Sequence, residues 1–551
     1  MDFSREIKAY AAKNALEFGK ADSSKILPKL FQHGLQKEEI KEIMPQIQDI
    51  VKTINTLSPE QLNELLKEFG KYAIVAEKKV PGLSELPEPH KNAVFRLAPY
   101  PSGALHIGNA KTFVLNALYA EKYKGKTLLV MDDTIGSVEK QIDKDSYKLI
   151  EEGFSWLKIK YQKPILYKSK RIPIYYKYAK ELIKKDKAYV CHCSIEELRE
   201  NRAKARECSC RQFPPEIQLK RWEEMFKAKE GQATLRIKTS MMHPNPAFRD
   251  RVLFKISDRE HPLVKHKYRV WPTLEMSWAI DDYLLKITHI IRGSDLLIET
   301  DMERYIWDIF KWKHPQVIHT GLVKIEGIEN FMSKSKSQKE VRSGKLSGWD
   351  DPRTWSLQSL QRRGIQPEAL KEFIKDMGLN KQDITAPIES LYSQNRRIID
   401  ATSDRYSFIE NPLELKIKNP MKIKPILVKV HPDRKQTREI QVKDIFISHK
   451  DFKKFKGKEV RLLNLFNIKL GDKKPTAEIT SIENKNIPKI NWVSEYVKTN
   501  ILLPNGEITK GIAEIAIKTL KKSEILQFER YGFVKFQNEQ KGVYEFWLTH
   551  K

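Results

Sequence analysis

Apolar residues recur at helical spacing through residues 1–85 and at roughly alternating spacing through 401–551. Between these textures, short apolar runs alternate with helical ones. Near the start, Ile7, Tyr10, Ala11, Ala15 and Leu16 share one helical face, and the stretch from Ile43 to Leu66 continues in that style. Ser58-Pro59-Glu60-Gln61 reads as a helix start with proline in the first turn. A Pro-rich linker, Pro81 to Pro89, follows. Ala93–Leu97 then reads as a short buried strand, and Ala110, Phe113, Val114, Ala117 and Leu118 as a helix behind it. Thr127–Met131 is a second strand and Val317–Val323 a later one. Alternating β and α elements predict a parallel, doubly wound sheet with ligands at the carboxyl ends of its strands.

Residues 188–264 are irregular and carry the cysteines, as an insertion would, and the α/β pattern is expected to return at Trp271. From Ser356 the chain reads as helical to about Asp400. Beyond it, Met421–Val430, Val460–Ile468, Phe533–Phe536 and Val543–Trp547 are strand candidates separated by Gly, Asn and Pro turns, the texture of β-barrels. The expected fold is therefore multidomain, α/β and all-β. It comprises a helical domain (1–85), a Rossmann-like domain (86–338) interrupted by the insertion at 188–264, a helical region (339–400) and two β-barrels (401–551).

Charge narrows the partner. The 551 residues hold 100 Lys and Arg against 72 Asp and Glu, a net charge of +28. A surplus of that size suits a polyanion such as nucleic acid, although solubility alone can also account for it. No apolar run is long enough to span a membrane, and the first residues lack a secretory apolar core, so the expected compartment is the cytosol. All four cysteines fall between 191 and 210.

Candidate chemistry gathers at the strand ends. Arg96-Leu-Ala-Pro-Tyr-Pro-Ser-Gly-Ala-Leu-His106-Ile-Gly-Asn109 is a strand end, a turn and a helix start. A phosphate can sit there against free backbone N–H groups and the positive end of the helix, with Gly103 and Gly108 allowing close approach. His106 can donate a hydrogen bond to a phosphate oxygen as charge develops on it. Gly125-Lys126-Thr127 is not a P-loop, since Ala120 stands where a glycine is needed and a strand follows instead of a helix. Asp132, at the end of the second strand, can hold a substrate ammonium or simply cap a turn. Phe331-Met-Ser-Lys334-Ser335 is either a mobile phosphate-closing loop or a solvated linker. Arg292 can pair bidentately with a carboxylate, or form a structural ion pair with Asp281 or Asp295. Cys191, Cys193, Cys208 and Cys210 form two C-x-C arms, enough thiolates for one tetrahedral zinc, with His192 a weaker candidate.

These stretches resemble the class I aminoacyl-tRNA synthetases, in particular the glutamyl/glutaminyl branch. The turn at His106 is similar to the "HIGH" signature, with Asn109 in place of the second histidine. Phe331–Ser335 is similar to the "KMSKS" loop, with Phe331 in place of its first lysine. Asp132-Asp133-Thr134 matches the branch, with Val130 where an arginine is usual, and Leu274 replaces a usual tyrosine. Gly348-Trp-Asp-Asp-Pro-Arg353, Arg362-Arg363-Gly364 and Gln527–Phe533 resemble archaeal and eukaryotic glutamyl members. The resemblance implies ATP-dependent activation of glutamate with Mg²⁺, then transfer to tRNA(Glu), with charging of tRNA(Gln) left open. It implies that the insertion contacts the acceptor stem, residues 339–400 contact the tRNA stem, and the barrels bind the anticodon. It also implies His106, Asn109 and Lys334 in catalysis; Pro99, Gly103, Gly108, Ser333 and Ser335 around ATP; and Arg96, Ala98, Asp132 and Arg292 around the amino acid. Arg292 favours glutamate, because a neutral glutamine side chain would leave its desolvated charge unpaired. A glutaminyl enzyme, or a non-catalytic tRNA-binding relative altered at Asn109, Val130, Leu274 and Phe331, are the competing readings.

Overall fold

The computed structural model describes residues 3–33, 35–36, 39–73, 83–88, 91–135, 141–328, 334–418 and 423–551. The chain forms two compact units, Met1–Pro81 and Gly82–Lys551. Among the described residues the first holds four α-helices, α1 (Ser4–Phe18), α2 (Ser23–Leu30), α3 (Ile40–Ile54) and α4 (Pro59–Phe69). They close around Ile7, Tyr10, Ile26, Leu30, Ile47, Ile54 and Leu62. Ser58 caps α4 with a reciprocal capping box to Gln61, as its sequence predicts. Leu16, assigned by spacing to the buried face of α1, is instead exposed.

The second unit begins with β1 (Val94–Leu97), α5 (Ile107–Lys122), β2 (Lys126–Met131), α6 (Ser146–Trp156) and β3 (Gln162–Tyr167). The three strands form a parallel sheet in the order β1-β2-β3. Gly125 is where α5 turns into β2. A Cβ there would stand 2.1 Å from the Ala93 carbonyl oxygen, so the glycine serves a close backbone crossing and no phosphate. Two later strands, β8 (His289–Gly293) and β9 (Gln316–Thr320), pair in parallel with each other. The Thr288 N–H donates to Val94 O at 2.9 Å, and the Val94 N–H donates to Thr288 Oγ1 at 2.8 Å. These bonds set β8 beside β1 and extend the doubly wound arrangement on that side.

Between β3 and β8, α7 (Ile172–Lys184) leads into a four-stranded antiparallel sheet. Its strands are β4 (Ala188–Cys191), β5 (Thr234–Ile237), β6 (Val252–Ile256) and β7 (Val270–Pro272), with α8 (Ile195–Ala203) and α9 (Pro215–Met225) between β4 and β5. The return to the α/β pattern expected at Trp271 is corrected here. Val270–Pro272 pairs with Val252–Ile256 and completes the insertion's sheet, so the helical pattern resumes only at α10 (Leu274–Leu284). Trp271 is fully buried, as suits a residue inside that sheet's core.

α11 (Leu297–Phe310) links β8 to β9. Then come β10 (Val323–Glu326), α12 (Lys334–Arg342), α13 (Leu357–Arg363), α14 (Pro367–Met377), β11 (Ile384–Pro387) and α15 (Ile388–Ile399). Trp355, Leu357, Leu360, Leu370, Phe373 and Ile374 share one hydrophobic core with Phe95, Leu97, Val114 and Leu129. The helical region is therefore built onto the sheet domain, with no separate core of its own.

Among the described residues, the remaining chain makes a seven-stranded sheet, a five-stranded sheet and two two-stranded ribbons. A seven-stranded sheet begins with Asp404–Tyr406 and ends with Phe408–Glu410, two strands separated only by Ser407. Adjacent residues thus occupy both edges of one sheet, which closes it into a barrel and removes its open edges. A five-stranded sheet, drawn from Lys416–Ile490, is inserted after Glu410. The stretch Val460–Ile468, expected as one alternating segment, is instead a hairpin of Glu459–Leu462 and Asn467–Leu470, with Asn464 at φ 60 in its turn. Of Met421–Val430, Ile426–Lys429 is a strand, and Met421 and Lys422 lie outside the described residues. Among the described residues no helix is long and apolar enough to cross a membrane.

Candidate active site

His106 is the N-cap of α5. Its Nδ1 accepts the Gly108 N–H at 3.0 Å, so the proton of the neutral ring sits on Nε2. Asn109 turns its Oδ1 back to the His106 N–H at 3.4 Å, which leaves its amide NH₂ as the donating end. The expectation of free N–H groups at this helix start is corrected by the geometry. Ile107 N–H donates to Trp355 O, Gly108 N–H is spent on His106, and Asn109 N–H donates to His106 O. The Asn109 amide and the positive end of the helix face this position as well.

The turn before His106 is braced on both sides. Ser356 forms an antiparallel bridge with His106, and the Leu357 N–H donates to Leu105 O at 2.8 Å. The Asp132 N–H donates to Pro99 O at 3.0 Å and ties the end of β2 to the same turn. Gly103, at φ 147, lies against the Trp349 indole, where a Cβ would come within 2.3 Å of the ring. Its glycine is demanded by that contact.

A cavity of about 260 Å³ opens beside this turn. Arg96, Ala98, Gly108, Asn109, Asp132 and Arg292 all line it, so six sequence-predicted residues from four separate segments converge there. Pro99, Gly103 and His106 do not line it. Ser333 lies outside the described residues; Lys334 and Ser335 begin α12, and their side chains are outside the description.

Three buried ion pairs organise the cavity wall. Arg96 donates to both carboxylate oxygens of Asp282, from Nε at 2.6 Å and from an Nη at 3.2 Å. Burial pushes the Asp282 carboxyl up to about 6, against the opposing pull of Arg96. Asp132 meets the Lys168 ammonium at 2.7 Å. Lys168 is completely buried and also donates to Ser277 Oγ at 2.7 Å. Burial draws its pKa below the usual lysine range, although Asp132 pulls the other way. Trp278 carries both cations, with Arg96 at 3.6 Å and Lys168 at 3.4 Å from ring centroids. Desolvated cation–π contacts of this kind are each worth about 2 kcal/mol.

Arg292 is the third cation. Its charge is met by neither Asp281 nor Asp295, the partners its sequence suggests. Its two Nη atoms donate to Glu303 on α11 at 2.9 and 2.6 Å, and one also to Thr300 Oγ1. Asp281 is held elsewhere, by Arg171 and the Tyr175 hydroxyl. Lys111 enters the cavity from α5, with its ammonium on Gly321 O at 3.1 Å. Lys111, Lys168, Trp278 and Glu303 were not singled out from the sequence. Lys111 alone left a usable signal, a lysine on the buried side of an apolar helix.

The four cysteines form a second cluster, on the insertion. Their sulfur atoms all lie within 4.8 Å of one another. Arg236 reaches Cys191 and Cys208 at 3.7 and 3.9 Å, and Arg221 reaches Cys210 at 3.5 Å. His192 instead directs its ring to Gln232 O at 3.1 Å.

Comparison with known proteins agrees along the chain. Residues 92–401 match the catalytic domain of class I tRNA synthetases for E and Q. Residues 403–486 and 482–537 match two anticodon-binding domains of the same class. A glutamate–tRNA ligase of Pyrococcus abyssi is 39% identical over 97% of both chains. One from Pyrococcus horikoshii is 40% identical over 97% of both. One from Methanocaldococcus jannaschii is 36% identical, covering 99% of this chain and 100% of its own.

Two stability measurements probe the buried pairs. Lys168→Met strands Asp132 without its cation, and urea unfolding is expected to show a loss of about 3 kcal/mol. Asp282 has a folded pKa above its unfolded value, so its contribution to stability is full at low pH and declines as pH rises through about 6. Wild type and Asp282→Asn should therefore diverge in the pH dependence of unfolding between pH 4 and 6. The expected size is on the order of 2–3 kcal/mol, and parallel curves would contradict the assignment.

Proposed function

The chain belongs to the class I tRNA synthetases of the glutamate and glutamine branch, and from that premise we propose that the cavity beside His106 is where it activates its amino acid. It is a glutamate–tRNA ligase, joining glutamate to tRNA(Glu) at the expense of ATP. The observation that carries the site assignment is the convergence of Arg96, Asp132 and Arg292 on one cavity at the head of α5.

In this reading Asp132 receives the α-ammonium of glutamate and Arg292 its side-chain carboxylate, with Arg96 and Ala98 forming the floor. An α-carboxylate oxygen attacks the α-phosphorus of ATP. A P–O bond forms, the bond to the β-phosphate oxygen breaks, and pyrophosphate leaves. Mg²⁺ arrives with the nucleotide and supplies counter-charge to its phosphates. His106 donates its Nε2–H, and Asn109 its amide N–H, to phosphate oxygens whose negative charge grows in the transition state. Pro99, Gly103 and Gly108 shape the nucleotide side of the turn. Lys334, with Ser333 and Ser335 beside it, adds a cation to the phosphates as charge grows on them. A hydroxyl of the terminal tRNA adenosine then attacks the glutamyl carbonyl; the ester C–O bond forms, AMP leaves, and the hydroxyl proton passes to solvent. Positioning and electrostatics carry the rate, without a dedicated general base.

The insertion fits the acceptor end of tRNA, residues 339–400 its stem and the barrels its anticodon, in keeping with the excess of positive charge. The cysteine cluster suits a structural Zn²⁺. Four thiolates are the donor set such an ion takes, and Arg236 and Arg221 offset the negative charge that four thiolates leave around it. Reduced thiols held in this way accord with a cytosolic protein.

Charging of total archaeal tRNA by the purified protein, with ATP, Mg²⁺ and labelled glutamate or glutamine in parallel, tests this reading. Glutamate is expected on tRNA(Glu), and the isoacceptors carrying it reveal whether tRNA(Gln) is also a substrate. His106→Ala should reduce ATP–pyrophosphate exchange by about a hundredfold or more while tRNA affinity stays within twofold; retained exchange would count against the mechanism. Elemental analysis is expected to find one zinc per chain, and Cys208→Ser should release it and loosen the insertion to proteolysis.

A further inference from the structure

Arg292 enters the reading above as the group that recognises the substrate's side-chain carboxylate, and in the structure that carboxylate's place is already contested. Glu303 takes both Nη atoms of the guanidinium, at 2.9 and 2.6 Å, in the fork-on-fork geometry that a substrate carboxylate would seek. One Nη is spent further on Thr300, whose hydroxyl also meets His319 Nε2 at 2.8 Å. The Nε–H of Arg292 has no hydrogen-bond partner, although the residue is only 6% exposed and lines the cavity. Glu303 is fully buried midway along α11.

Three of the five guanidinium N–H groups are thus spent, and a glutamate side chain entering this cavity finds only the Nε–H and one Nη–H to bind. It also faces a second carboxylate on the same guanidinium, and two like charges sharing one cation in a dry site repel strongly. The amide oxygen of glutamine accepts either N–H without that repulsion. Asp282 and Glu299 also act on Arg292, but each is held by an arginine of its own, Arg96 and Arg251, so Glu303 is the acid that competes for it.

We propose that Glu303 is a specificity-determining residue that competes with the substrate's side-chain carboxylate for Arg292, weakening glutamate binding and narrowing its advantage over glutamine. This rests on the assignment of Arg292 above. It means that Arg292 alone does not set the choice between the two amino acids; the Arg292–Glu303 pair sets it, and the acid on α11 works against the arginine on β8.

The test is Glu303→Gln, which keeps the shape and one acceptor for Arg292 but removes the competing charge. Glu303→Asp, which keeps the charge but draws it back by one methylene, is the companion. Glutamate and glutamine are titrated calorimetrically into the tRNA-bound protein, and KM and kcat for charging are measured alongside. Glu303→Gln is expected to tighten glutamate about ten- to a hundredfold, the worth of a recovered charge-assisted bond. Glutamine affinity, kcat and the KM for ATP should stay within about threefold, and Glu303→Asp should fall between. A purely structural Glu303 predicts the opposite: glutamate affinity unchanged or weaker in both variants, and that result overturns the proposal. Should Glu303→Gln fail to fold, an unchanged or weakened glutamate affinity in Glu303→Asp overturns it equally. A wild-type protein that binds glutamate but charges no tRNA would count against the ligase mechanism, while the calorimetric comparison still decides the role of Glu303.

Discussion

The turn that carries His106 is held by backbone bonds to a segment some 250 residues downstream, and the active site depends on that bracing. Ile107 donates to Trp355 O, Leu357 donates to Leu105 O, and His106 and Ser356 face each other across the bridge. The imidazole is fixed from within by Gly108, but the position of the whole turn is fixed from the helical region. Trp355 in turn lies under the guanidinium of Arg363, 4.5 Å from the ring. Arg363 is buried and donates to Leu548 O, Thr549 O and the Tyr392 hydroxyl. A continuous path of packed and hydrogen-bonded groups thus runs from the last strand of the large barrel to the catalytic turn. The shared core of the sheet domain and α13–α14 makes that path stiff, because neither side can shift without opening packed apolar surface.

The amino-acid cavity is built on a different plan, one of charges neutralised in pairs. Asp132 with Lys168, Arg96 with Asp282, and Arg292 with Glu303 each bring together residues from separate segments, and Trp278 lies between two of the cations. Buried pairs of this kind add little net stability, since desolvation offsets most of their attraction. What they supply is position: each charged group is pinned by a partner on another element.

Much of this was legible in the sequence because the signals were local. A Pro- and Gly-rich turn ending in His-Ile-Gly-Asn announces a strand-to-helix junction, and two C-x-C arms announce a cluster of thiols, without knowledge of the rest of the chain. The candidate amino-acid residues were legible as positions at strand ends but not as partners. Glu303 reaches Arg292 because α11 folds back over the end of β8, and nothing in its own heptad marks it. The same holds for Trp278, which reads as one more apolar residue of α10. Trp271 was misplaced because a short fully buried strand has no periodicity to separate it from the α/β elements beside it. The helix-start N–H groups were misjudged for a related reason. Their acceptors are His106 itself and Trp355, and only the folded turn brings them into range.

The barrel closure at Ser407 has a consequence for how the protein comes to be folded. Asp404–Tyr406 must wait for Ile525–Phe528, and Phe408–Glu410 for Ile508–Glu514, before either finds its neighbour. The five-stranded system lies wholly within that interval, with its own core of Leu415, Val460, Leu462, Ile468 and Trp492. During synthesis the inner module can collapse first, shortening the loop that the outer barrel has to close, and long-range pairing is the slow step in such folds. The inserted five-stranded module thereby shortens the closure of the barrel that surrounds it in sequence, and the bracing of the catalytic turn through Arg363 depends on the last strand of that barrel.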